Sequence, residues 1–381
     1  MTAYDAVVVG AGPAGSAAAA VLASAGRRVV LLEKDRFPRP KVCGEFLSGG
    51  ARGDLRRLGV LEALETRAER IERGFVHLPG GRSVAFSLPV PGLGTSRSHL
   101  DSLLARRAAE LGAEVRYGER VLSFEGTRGE GFRVRFASSG REEILEARGV
   151  VGAWGRWDGL DRGLRRSFLA GRSRFFGWNR DFVGDEDRLA GQVHLFLFSG
   201  GYCGLSRVED GVVNLAGVIS EGAWRKLGSG WDAVVAHARR TSGALDRVLA
   251  GLREGPVGFL GVGPVFFTAK PPVENGMLMA GDAAGVIDPF SGEGQAAALA
   301  SGILSAEMLD QGLGGRIPME AVAPAYALAW KRRFARRFGW GSAFRRLMLS
   351  PAAGRLAARL AGERLVRFAM ERMGAGRSFS S

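Results

Sequence analysis

Among the 381 residues there are only two cysteines, Cys43 and Cys203. They could form one bridge at most, so no disulfide framework holds this fold. Histidine is nearly as scarce. His77, His99, His194 and His237 fall at no metal-ligand spacing, and neither cysteine joins them in a zinc pattern. No Gly-x-Ser-x-Gly elbow occurs, which removes the signature of a hydrolase nucleophile. Long apolar runs are missing as well, since a stretch such as Ala17 to Ala25 is too short to span a bilayer. The first basic residue is Arg27, so the start lacks the positive segment of a secretory signal, and a cytoplasmic location is expected.

Acidic balance is also absent, and its absence is local. The net charge is +14, of which +11 falls between Lys331 and the end, where thirteen Lys and Arg face only Glu363 and Glu371. The body is therefore nearly neutral and the tail basic. Tyr326 to Arg372 is expected to form two or three amphipathic helices, broken near Gly339, Ser350-Pro351 and Gly362. No nucleic-acid-binding motif accompanies this charge, so nucleic acid is not an expected partner. An acidic acyl carrier protein or an anionic membrane surface fits it better.

The informative residues are glycines. "VVVGAGPAGS", residues 7 to 16, sets a short apolar strand against Gly10-x-Gly12-x-x-Gly15, with Pro13 and Ala14 inside the turn. A small-residue helix is expected over Ala14–Ala25, ended by Gly26, and a second strand over Arg27–Leu32. Glu33 follows 23 positions after Gly10, with Lys34 beside it. This is the pattern of a dinucleotide-binding βαβ unit. Gly10 permits the sharp turn, Gly12 lets a diphosphate approach the backbone, and Gly15 lets helix and strand pack closely. The free N–H groups at the helix start attract the anion, and Glu33 is placed to hold a ribose hydroxyl. Read alone, the motif fits NAD or FAD.

"MLMAGDAAGVIDPFSGEGQAAALASG", residues 277 to 302, decides between them. It reads as a strand, a Gly281-Asp282 turn, a Pro289-x-x-Gly292-x-Gly294 turn and a long helix. The segment resembles the second flavin motif of the FAD-dependent hydroxylase superfamily, the p-hydroxybenzoate hydroxylase fold, and of its geranylgeranyl-reductase-like branch. Two more stretches carry the likeness. "SRSHLDSLLARRAAELGAEV" resembles the family's Arg-x-x-Leu-Asp helix, with Arg97 as its arginine, and "RPKVCGEFLS" resembles the Lys-x-Cys-Gly segment of the reductase-like branch, bringing in Cys43 and Gly44.

The resemblance implies FAD as cofactor, with NAD(P)H as a donor of electrons. It implies that Asp282 bonds the ribityl chain, that Pro289, Gly292 and Gly294 lie along the ring system, and that Arg97 reaches the flavin chain. It further implies an α/β fold: a Rossmann-like FAD-binding domain, a substrate domain built on an antiparallel sheet, and a helical C-terminal segment. The expected boundaries are 1–75, 97–155 and 270–320 for the first, 76–96 and 156–269 for the second, and 321–381 for the third.

Two departures from the family stand out. Residues 152 to 155 read Gly-Ala-Trp-Gly where the hydroxylases carry Gly-Ala-Asp-Gly, and Trp154 can donate a hydrogen bond but not accept one. Asp158 is the nearest substitute. In the substrate half, Tyr202-Cys-Gly-Leu-Ser-Arg replaces the Tyr-x-Trp-x-Phe-Pro signature of the reductase-like branch, and the Trp-x-Trp-x-Ile-Pro signature of halogenases is absent. Residues 191 to 220 read as three strands with a turn at Glu209-Asp210-Gly211. Phe175, Phe176, Trp178, Phe196, Phe198 and Tyr202 are candidates for an apolar pocket, and His194, Tyr202 and Cys43 for acid, base or thiol chemistry. These observations lead to an expected flavoprotein monooxygenase of secondary metabolism acting on an apolar aromatic or polyketide-type compound. A flavin-dependent C=C reductase and a flavin-binding protein that docks a carrier are the alternatives.

Overall fold

The computed structural model describes residues 3–127, 130–173, 175–184, 187–228, 230–349 and 379. Its two sheets arise from two kinds of strand. In the first, Ala3–Val9 and Val29–Glu33 are buried almost throughout, as befits strands covered on both faces. They pair in parallel, Val7 opposite Val30, and on its other side Ala3–Val9 pairs in parallel with Arg141–Gly152. Glu114–Tyr117 and Met277–Met279 extend this parallel core at either end. Arg120–Thr127 and Gly131–Ser138 add an antiparallel ribbon, and the short Val273–Glu274 pairs antiparallel with Met277–Met279, giving eight strands in all among the described residues. Helices Pro13–Ser24, Arg97–Glu110 and Gly294–Leu313 pack against the sheet and one another around a single large apolar cluster.

The second sheet is mostly antiparallel and amphipathic in a different sense: it is covered on two faces by different partners. Phe175–Val183, Val213–Ser220, Gly201–Arg207 and Gln192–Phe198 run as neighbours, followed by Glu69–His77 and Ser83–Gly94. Asp210 turns the chain between two of these strands with φ at +60°, a conformation that Asp tolerates better than most residues. Glu69–His77 lies wholly within this sheet, so the chain crosses to it earlier than the expected boundary at residue 75. Strand alternation then sorts the side chains. Trp178, Phe196, Phe198, Cys203 and Leu205 point to one face, under helices Trp231–Thr241 and Gly243–Leu249. Val76, Phe86, Leu197, Tyr202 and Val218 point to the other, toward Phe290.

One expectation is corrected at the C-terminal end. A single helix, Met319–Leu349, passes through Gly339 without a break. A glycine in a helix costs only about 1 kcal/mol, and Trp330, Phe334 and Phe338 pack on the core and on one another just ahead of it. The remainder of the expected basic segment, with the breaks at Ser350-Pro351 and Gly362, lies outside the described residues apart from Phe379.

Candidate functional site

The glycine turn does three separate things. Gly10 has φ at +98°, and a Cβ there would lie 2.6 Å from the Ala153 carbonyl oxygen. At Gly15 a Cβ would fall 1.8 Å from the Gly10 oxygen, so this glycine sets helix-to-strand packing and touches no cavity. Gly12 opens on space, with only the Arg97 guanidinium within 3.6 Å of where a Cβ would be. The helix it caps has no side-chain cap, which leaves its first N–H groups available to an anion. Glu33 is buried, and its carboxylate accepts the N–H of Ala11 at 2.8 Å and of Asp35 at 3.0 Å.

Facing that turn is a buried cation. Ser96 caps helix Arg97–Glu110 by accepting the His99 N–H. At the first position of the helix, Arg97 makes a two-pronged pair with Asp101, one turn further in, at 2.8 and 2.6 Å. The loop bearing Cys43 is tied to the same helix end, for Glu45 accepts the Arg97 backbone N–H at 2.9 Å. Burial pushes the Glu45 carboxyl up to about 8. Cys43 accepts a hydrogen bond from the Gln295 amide at 3.4 Å. The other end of that amide, Gln295 Oε1, is buried with no hydrogen-bond partner among the described residues.

The second motif closes the site from the opposite end of the chain. Met277–Met279 leads into a turn at Gly281, φ +60°, whose N–H bonds to Ser301 at 2.8 Å. Lys270 braces the Asp282 carbonyl at 2.7 Å and also reaches the Arg156 carbonyl; burial lowers its ammonium to about 8. The turn Pro289–Ser291 ends at Gly292, where φ is +69° and a Cβ would strike the Phe46 ring. Helix Gly294–Leu313 begins immediately after it, and its Gly302 passes so close to Ala14 that a Cβ would lie 2.1 Å from the Ala14 oxygen. The two glycine-rich segments, almost three hundred residues apart, thus interlock.

Between them runs one cleft. Its inner part, about 250 Å³, is lined by Gly12, Pro13, Ala14, Cys43, Gly44, Arg97, Gly281, Asp282, Pro289, Gly292 and Gly294, and opposite them by the apolar sheet face. An adjoining part of about 330 Å³ continues past Gly10, Glu33 and Lys34, and shares Gly12, Lys41, Val42, Ala153 and Arg156 with the first. Lys41 sits at the junction, its ammonium lowered to about 8 by burial first and then by Arg97. It stands in the same Lys-x-Cys-Gly stretch that drew attention to Cys43, so the signal for it was present. Lys34 instead pairs with Asp158 at 2.5 Å, which occupies the residue expected to substitute at Trp154.

The candidates for side-chain chemistry fare differently. Tyr202 does face the cleft, but its hydroxyl donates to the buried Asp288 at 2.5 Å, and burial raises it well above its ordinary value. His194 belongs to a strand of the cleft wall, and its ring stacks on Phe75, His77 and Phe196. Its Nδ1 meets His77 at 3.0 Å and its Nε2 meets Gln192 at 3.1 Å, so both nitrogens are engaged. Burial lowers it to about 3 and His77 to about 4. His194 thus lines the cleft as a neutral imidazole with both ring nitrogens already engaged. Phe196 and Phe198 leave the expected pocket by alternation along their strand, whereas Trp178 is among the residues that line it.

The residues fit a flavin dinucleotide. The buried Arg97, the half-buried Lys41, a bare helix start, an orphaned amide oxygen and a cradle without side chains converge on one cleft. A family model described as an FAD binding domain matches residues 3–175. The menaquinone reductase of Mycolicibacterium smegmatis is 31% identical over 348 residues, covering 82% of this chain and 77% of its own. The chain belongs to the FAD-dependent hydroxylase superfamily. Another relative of this flavoprotein is digeranylgeranylglycerophospholipid reductase 1 of Methanopyrus kandleri, 30% identical with 87% of each chain covered. A solved flavin-dependent brominase shares the fold at a TM-score of 0.83 and 21% identity, covering 99% of this chain and 94% of its own. The protein is an FAD-dependent oxidoreductase.

Proposed function

We propose that this flavoprotein reduces a C=C bond in an apolar, isoprenoid-type substrate. The observation that carries this is the substrate-side wall of the cleft. Val76, Phe86, Leu88, Leu195, Val218 and Phe267 make it hydrocarbon, and its tyrosine hydroxyl, that of Tyr202, is already bound to Asp288. Hydroxylation of a phenol calls for a free polar group at the ring to move its proton, and on this wall the Tyr202 hydroxyl and both His194 nitrogens are already engaged. A hydrocarbon chain needs no such group. The relatives named as reductases of menaquinone and of an isoprenoid lipid support the same choice over the monooxygenase expected from sequence.

FAD, when bound, supplies hydride chemistry. The chain's own residues do the rest. Arg97 and Lys41 would hold the anionic and polyol parts of the cofactor, Glu33 a ribose, and Gln295 Oε1 is available to accept a donor from it. Asp282 would hold the ribityl chain and the Pro289–Gly292 turn would lie along the ring, while the apolar wall would exclude water and orient the alkene. Lys331, Arg332 and Arg336 lie exposed on the C-terminal helix and fit the anionic surface of a membrane that carries such a substrate. Among the described residues no helix is long and apolar enough to cross a membrane.

The test is an anaerobic incubation of reduced protein with an isoprenoid quinone or lipid, followed by mass spectrometry. A product heavier by two hydrogen atoms, and still so after air has reoxidised any quinol to quinone, is expected. A product that gains oxygen, and forms only in air, would favour the monooxygenase instead. Bleaching of the yellow protein by NADH or NADPH in the same apparatus assays the donor.

A further inference from the structure

The C-terminal helix is basic, yet two of its arginines turn inward. Arg345 pairs with Asp288 at 2.9 Å, and Arg337 pairs with Glu293 at 3.5 Å. Both carboxylates are buried, their side chains 2% and 0% exposed. The two acids bracket the turn Pro289–Gly292, one immediately before it and one immediately after. Other contacts seat the same helix along this segment. Tyr326 donates to the Met279 carbonyl at 2.6 Å, and Phe338 lies so close to Gly285 that a Cβ there would collide with its ring. Arg345 also rests over the Phe175 and Phe267 rings, at 5.0 and 4.7 Å from their centres.

A buried carboxylate without a counter-charge is unfavourable, so each pair has a structural use. Placement gives these two another. Glu293 occupies the N-cap of helix Gly294–Leu313, the position where an acid would itself absorb the positive end of the helix. Arg337 offsets that acid and leaves the helix start available to a ligand. Asp288 would add a second negative charge beside the turn, and Arg345 offsets it.

We propose that Arg337 and Arg345 are positioning residues for the flavin. They act through Glu293 and Asp288, holding the Pro289–Gly292 turn in place and keeping the electrostatic potential at the ring favourable to negative charge. The C-terminal helix is thereby part of the redox site, although none of its residues needs to touch the cofactor. This rests on the reading that the flavin ring lies along that turn.

The experiment measures FAD dissociation and the midpoint potential of bound FAD in the full-length holoprotein. Arg345→Gln and Arg337→Gln are each expected to weaken FAD binding about tenfold or more and to lower the potential, because an uncompensated carboxylate disfavours the anionic reduced form. Arg345→Lys keeps the charge and is expected to keep the potential. The neutral pairs Asp288→Asn with Arg345→Gln, and Glu293→Gln with Arg337→Gln, are expected to restore the potential. Should a single Gln variant fail to fold, the Lys variant and the neutral pairs carry the test. Singles that leave both readouts unchanged, or neutral pairs as shifted as the singles, overturn the proposal. Wild-type protein that binds no FAD would instead overturn the site reading beneath it.

Discussion

Trp154 donates its indole N–H to the Asp161 carboxylate at 3.2 Å. Asp161 is fully buried and pairs with the equally buried Arg166 at 3.0 Å, which in turn donates to the Ala283 and Pro271 carbonyls. The residue that departs from the family turn is therefore locked into a network joining that turn to the second flavin motif. A donor is needed at position 154, and an acidic side chain there would face a second acid.

Replacement of Trp154 by Phe should keep the ring but leave Asp161 one bond short, costing about 1–3 kcal/mol. Trp154→Asp should cost more, since like charges then meet in a buried setting. Denaturant unfolding of the two variants checks the order; an aspartate variant as stable as the phenylalanine one would contradict the network.

Gly15→Ala and Gly302→Ala both force a methyl into backbone oxygens at distances no real Cβ tolerates. Each should lower stability by about 1–3 kcal/mol or more, and both should strip the yellow colour by displacing the first helix. Gly26→Ala makes a useful control, because nothing lies within 4 Å of its missing side chain although its φ of +76° adds strain of its own. Retention of full flavin content in Gly15→Ala would argue against close helix–strand packing as its role.

His194→Asn should leave the rate of substrate reduction within about twofold while lowering stability by about 1–3 kcal/mol, the cost of a broken buried hydrogen bond. A loss of rate far beyond that, in a variant that still folds and binds FAD, would return His194 to the list of catalytic groups.

Glu45 makes stability depend on pH in a direction that can be worked out. Its carboxyl is raised to about 8 in the folded protein against an ordinary 4.5, so the folded state binds the extra proton. Its contribution is fully present below about pH 4.5 and is lost as pH climbs toward 8. Glu45→Gln still offers an oxygen to the Arg97 N–H and should flatten this fall between pH 5 and 8. The buried His77–His194 pair, lowered to about 4 and 3, acts oppositely, losing stability as pH drops below 6.5. The difference between wild type and the Glu45 variant isolates the carboxyl; identical pH profiles would place its proton elsewhere.

The amino-acid sequence alone determined the two glycine-rich turns, the strands and helices around them, and the flavin that they accommodate. These follow from constraints acting within a few residues: a positive φ at Gly10, Gly281 and Gly292, small side chains where backbones meet, and apolar strands ending in turns. Tertiary structure decided the rest. A single register in the second sheet stacked the His194 ring on Phe75, His77 and Phe196 and set the Tyr202 hydroxyl on Asp288, and alternation along a strand does not tell which face will be the inner one. Arg337 and Arg345 turned inward onto Glu293 and Asp288 only once distant segments met. Their partners lie tens of residues or more away in the chain, and a charge gains meaning from the carboxylate it is buried against.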